Sequence, residues 1–141
     1  MSVYFDRETE YFFYIVKSAI NNTKIAPPAD TIDWDRIIKI SEKQDVFGLL
    51  AGAVPNEILP DKTKTELNNY EKSQIVHMIS MNNELAKIEK ELEALGIRFM
   101  LLKGARIREF YPKQMMRQMS DFDIMYDIEN KDKLIQMMNG N

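Results

Sequence analysis

The chain has no cysteine, so neither a disulfide nor a thiolate metal site can form. It has a single histidine, His77, too few for a histidine-based metal centre. No apolar run approaches the length needed to cross a bilayer, which argues against a membrane partner. The N-terminal stretch 1–10 mixes charges of both signs and lacks the apolar core of a signal peptide. These absences are consistent with a cytoplasmic protein. Positive charge is also short: the net charge is −3 and the pI about 5.3. An acidic chain repels phosphate backbones, which disfavours bulk nucleic-acid binding but leaves room for a locally basic site.

The remaining composition is that of a globular chain. Of 141 residues, 45% are hydrophobic and 29% charged, enough for one core and too apolar for disorder. The first two thirds read as helices. Tyr11 to Ile20 is apolar and aromatic, with Asn21-Asn22 as a stop, and is expected to be a core helix. Pro27-Pro28 breaks the chain. Thr31 or Asp33 can cap the next helix, in which Trp34, Ile37 and Ile38 fall at i, i+3 and i+4. Val46, Leu49, Leu50 and Val54 repeat the spacing up to Pro55. Asp61 or Thr63 begins a long helix, where Ile75, Ile79, Leu85, Ile88, Leu92 and Leu95 are expected to share one stripe. His77 falls in this helix, far along the chain from any motif, with a structural or surface role expected.

The texture changes at Gly96. Phe99 to Leu102 is a short apolar run that suits a buried strand. Lys103-Gly104 follows, then a short helix from Ala105 to Tyr111 with Ile107, Phe110 and Tyr111 on one side. Pro112 stops it. Lys113 to Ser120 reads as a loop. Asp121 to Tyr126 reads as a second strand, and Asn130 to Met138 as a helix stopped by Asn139-Gly140. The expected fold class is α+β, a helical region over 1–95 followed by a strand-and-helix unit over 96–141.

Chemistry-bearing residues concentrate in that second unit. On a strand, Asp121 and Asp123 point to one face. Two adjacent carboxylates repel unless a cation lies between them or one takes a proton. Magnesium is a natural partner, because it prefers hard oxygen ligands and shares one or two carboxylates with substrate phosphates. An EF-hand calcium loop is excluded, since Met125 and Tyr126 stand where a ligand and a glycine are required. Alone, an Asp-x-Asp pair is common and needs no function. Gly104, between strand and helix, lets a ligand approach the backbone, and Lys103 adds a point charge. Alone, this too can be a plain turn. Between Lys103 and Met119, five cations face one carboxylate, Glu109. Arg117 is placed to clamp a phosphate or hold a carboxylate, whereas Arg106 or Arg108 is expected to be solvated. Met115, Met116 and Met119 cluster just before Asp121, with packing the favoured role.

Taken together, Leu101-Leu102-Lys103-Gly104-Ala105, Tyr111-Pro112 and Arg117-x-Met119-Ser120-Asp121-Phe122-Asp123-Ile124 resemble the nucleotidyltransferase superfamily that includes DNA polymerase beta. The nearest likeness is to a branch of uncharacterised bacterial nucleotidyltransferases with a Leu-Lys-Gly segment before an Arg…Asp-x-Asp segment. The likeness covers about residues 99–126, with a fainter one at Asp33-Trp34-Asp35-Arg36. It implies a mixed sheet flanked by helices, Asp121 and Asp123 as catalytic metal carboxylates for Mg²⁺ or Mn²⁺, and a triphosphate held by Lys103, Gly104, Arg117 and Ser120. The reaction implied moves a nucleoside monophosphate from an NTP to a hydroxyl acceptor. Ala105 departs from the pattern, standing where a second glycine or a small hydroxyl is usual. The superfamily's third carboxylate would lie on a later strand, yet only about eighteen residues follow Asp123. The expectation is therefore an N-terminal piece of a longer enzyme. The alternative is a non-catalytic module of the same fold that acts through a protein partner, and a nucleotide-sugar glycosyltransferase is a third reading.

Overall fold

A computed structural model describes residues 5–139. The first helix, α1 (Arg7–Ile20), begins earlier than its apolar stretch because Asp6 caps it, accepting the Thr9 N–H at 2.9 Å. That N–H holds the Asp6 carboxyl below its ordinary range. Phe12 and Ile15 are buried while Phe13 is exposed, as one apolar face of a helix requires. Asp33 caps α2 (Trp34–Lys43) through the Arg36 N–H at 3.1 Å, and Trp34, Ile37 and Ile38 all turn inward. Next comes α3 (Phe47–Ala53), then the long α4 (Asp61–Ala94). One core joins Phe12, Ile15, Trp34, Ile37, Leu50 and Leu67 from these four helices.

The expected single stripe along α4 is incorrect. Leu85 and Leu92 are buried, but Ile75 and Ile79 are exposed. At about 100° per residue, the ten positions from Ile75 to Leu85 leave the two side chains roughly 80° apart around the helix, enough to put one in the core and the other in water. The chain reverses at Leu95-Gly96 and enters β1 (Phe99–Leu101), which pairs antiparallel with β2 (Ile124–Tyr126), Leu101 opposite Ile124. These two strands form the only sheet among the described residues. The class is α+β, helical first and sheet-bearing second, as the residue patterns predict.

Between the strands, α5 (Lys103–Ile107) runs into a 3-10 turn at Arg108–Phe110. Its buried side carries Ala105 and Arg108, while Ile107 and Phe110 are exposed. A second 3-10 turn, Gln114–Met116, sits in the expected loop, and its Met115 and Met116 pack with Ala19 and Leu49. The last helix is α6 (Lys131–Asn139); Gly140, half of its expected stop, lies outside the described residues.

The join between the helices and the sheet-bearing unit is tight at α3. A Cβ on Gly48 would lie 2.8 Å from the Met116 backbone oxygen and 3.3 Å from that of Met115. Those are backbone atoms and cannot swing aside, so Gly48→Ala must push the two units apart. It should cost about 1–3 kcal/mol in a urea titration, and an unchanged midpoint would show that the contact is looser.

On the other side of the core, the Tyr11 hydroxyl donates to the Ala26 carbonyl at 2.7 Å. Burial, with the neighbouring Tyr14 adding to it, pushes the Tyr11 phenol up to about 12. The folded state therefore holds this proton more tightly than the unfolded chain does. That stability is fully present below about pH 10 and is lost as the pH rises toward 12. Urea midpoints measured across this window should fall less steeply for Tyr11→Phe than for the native chain.

Candidate functional site

The register of the two strands builds one side of the site. Leu101 opposite Ile124 places the end of β1 beside the start of β2, and the Leu102 N–H donates to the Asp123 carbonyl at 2.8 Å. Lys103-Gly104 and Asp121–Asp123 are thereby brought together at the same end of the ladder. The ladder itself begins only at Ile124, so the carboxylate pair sits on the extended lead-in and not within the strand as expected. The alternation that aligns Asp121 and Asp123 nevertheless holds: both line one cavity, while Phe122 does not.

That cavity has a volume of about 630 Å³, within the range of small-molecule sites. Every residue singled out from the sequence for this chemistry lines it: Lys103, Gly104, Arg117, Ser120, Asp121 and Asp123. Lys103 reaches across to Asp123, Nζ to Oδ1 at 3.2 Å. Its backbone takes φ +43°, a left-handed conformation that costs a side-chain-bearing residue roughly 1–2 kcal/mol. Gly104 lies against Met119, whose Cγ and Sδ would each be 3.1 Å from a Cβ placed there. Arg117 donates to the Gln118 carbonyl at 3.1 Å.

Of Arg106 and Arg108, one or other of which is expected to be solvated, Arg106 is exposed and pairs with Glu109 at 2.8 Å. Arg108 is buried and donates to the Asn82 side chain, because α5 turns it toward α4.

The opposite wall was not visible in the motif. Asp45, Gln74 and His77 also line the cavity. His77 is therefore not remote from the motif: its Nε2 lies 2.9 Å from the Met119 carbonyl oxygen. Tyr70, Gln74, His77 and Met81 recur at spacings of four, three and four, which is one face of α4. Four contacts fasten the Arg108–Met119 segment to this side. They are Gln118 to the Tyr70 hydroxyl, His77 to Met119, Arg108 to Asn82, and Lys113 to Glu71 at 3.2 Å. Burial raises the Tyr70 phenol, the Gln118 hydrogen bond opposes that shift, and the Asp45 charge adds to it. A polar face in a long exposed helix looks like a solvated one, and only the spacing of Tyr70, Gln74 and His77 could have marked it.

The donor set suits a divalent cation held jointly with a ligand. Two carboxylates meet the usual protein share for Mg²⁺, with phosphates and water completing the six oxygens. Among the described residues no group of three or more metal-ligating side chains is gathered. Lys103 is exposed and Asp123 half-buried, so water screens the pair and it adds little to the fold. Lys103→Met and Asp123→Asn should each shift unfolding free energy by less than about 1 kcal/mol in urea. A larger loss would make the pair a structural element.

A family model described as an uncharacterised nucleotidyltransferase matches residues 30–141, which takes in α2 to α6 and therefore both walls of the cavity. No curated protein and no solved structure matches the chain. With the match extending over most of its length, the chain belongs to this family of uncharacterised nucleotidyltransferases, whose general role is nucleotidyl transfer.

Proposed function

We propose that the cavity binds a nucleoside triphosphate with Mg²⁺ and transfers its nucleoside monophosphate to a hydroxyl acceptor. The observation that carries this reading is the gathering of two carboxylates, a lysine, an arginine and a ligand-accessible glycine around one space. A metal–triphosphate needs both signs of charge within a few ångströms, and few other ligands do.

The roles follow from chemistry and place. Asp121 and Asp123 hold the metal, each offering oxygen ligands from the same side of the chain. The bound ion supplies positive charge against the triphosphate and against the charge that develops on the departing pyrophosphate. Lys103 is paired with Asp123 in the free protein and exchanges that carboxylate for a phosphate oxygen when the nucleotide arrives. Because water screens the pair, the exchange is inexpensive. Gly104 and Ser120 border the phosphates with little bulk, and Arg117 clamps them with a fixed planar fork of donors. The acceptor oxygen attacks the α-phosphorus, the bond to the bridging oxygen breaks, and pyrophosphate leaves. The hydroxyl proton passes to solvent.

Calorimetry with Mn²⁺ and each common NTP tests the assignment. Asp121→Asn should abolish metal-dependent nucleotide binding and leave the thermal unfolding curve unchanged. Equal binding by the native protein and the variant would overturn the assignment.

A further inference from the structure

We propose that His77 is a positioning residue of this site: its imidazole fastens the loop that delivers the carboxylates to the side of α4. The inference rests on the nucleotide-binding reading above for its consequence, but not for its geometry. His77 and Met119 are 42 residues apart and meet at 2.9 Å, ring Nε2 to carbonyl oxygen. A carbonyl can only accept, so Nε2 carries the hydrogen and donates. Met119 immediately precedes Ser120-Asp121, and its side chain packs against Gly104. A single hydrogen bond therefore sets the residue that touches the glycine turn on one side and leads into the carboxylates on the other.

The neighbouring tethers hold other points. Gln118 reaches Tyr70 through its side chain, and Arg108 and Lys113 anchor the start of the segment. Among the four contacts with α4, His77 is the one that acts on the backbone nearest Asp121. Its loss frees the last residues before the pair, so the two carboxylates spend less time at the separation one metal ion requires. Net hydrogen-bond strengths of this kind correspond to about three- to tenfold in an equilibrium.

The test uses the full chain with His77→Leu, which removes the donor, and His77→Gln, whose amide N–H reaches a similar place. His77→Leu should weaken Mn²⁺–ATP binding about three- to tenfold, and His77→Gln should recover most of it. Tryptic cleavage after Arg117 should be several-fold faster in His77→Leu and near the native rate in His77→Gln. If Asp121→Asn abolishes nucleotide binding while His77→Leu binds as the native chain does, the positioning role is wrong and the site reading stands. If Asp121→Asn has no effect, or the native chain binds no nucleotide, the site reading falls and the cleavage rates alone decide. Equal rates in all three proteins would then overturn the tether. Faster cleavage in both variants, together with a lowered melting temperature, would overturn it as well, since a general loss of stability has no preference for the conservative variant.

Discussion

The site depends on α4 offering different chemistry at different heights. A helix of 34 residues runs about 51 Å, longer than a small domain is wide, so one helix can serve several surroundings. Near its start, Leu67 enters the helical core. Its middle turns Gln74 and His77 toward the cavity, one turn beyond Tyr70, which packs edge-on against Phe47 and holds Gln118. Farther along, Leu85 and Leu92 are buried again. The carboxylates themselves lie on a short extended segment with only three residues of ladder behind it. A two-stranded sheet is a weak platform alone, and the rigid wall of α4 compensates for it.

The elements were legible wherever local chemistry decides them. Asp33 caps its helix because its carboxylate satisfies an N–H that the helix leaves free, and nothing distant alters that. The glycine turn and the alternation of Asp121 with Asp123 are likewise properties of a few adjacent residues. What the residue pattern hid was set by tertiary choice. Ile75 and Ile79 look like core positions, yet the sheet-bearing unit docks on another flank of the same helix. Arg108 looks like a solvated cation, yet Asn82 on the packed side of α4 takes its guanidinium. His77 looked remote because sequence distance says nothing about the return of a chain after a helix of this length.

Charge balance in the cavity is local and differs from that of the molecule. The chain as a whole is acidic, but Lys103 and Arg117 stand among the acidic groups Asp45, Asp121 and Asp123. Such a mixed lining lets like charges stay close without burying any of them unpaired, since the pair at Lys103 and Asp123 remains open to water. The site is therefore held ready by weak, exchangeable contacts, while the scaffold behind it is closed by buried apolar side chains.

The two glycines of α3 have a consequence for how the sequence can vary. Gly48 and Gly52 lie one helical turn apart, and a Cβ at Gly52 would come within 2.8 Å of the Met116 side chain. Together they form a socket, and the 3-10 turn that precedes the carboxylates is its plug. Socket and plug lie more than sixty positions apart in the chain yet divide one fixed volume. A larger residue at position 52 must displace the Met116 side chain, so what position 52 tolerates depends on which residue stands at position 116.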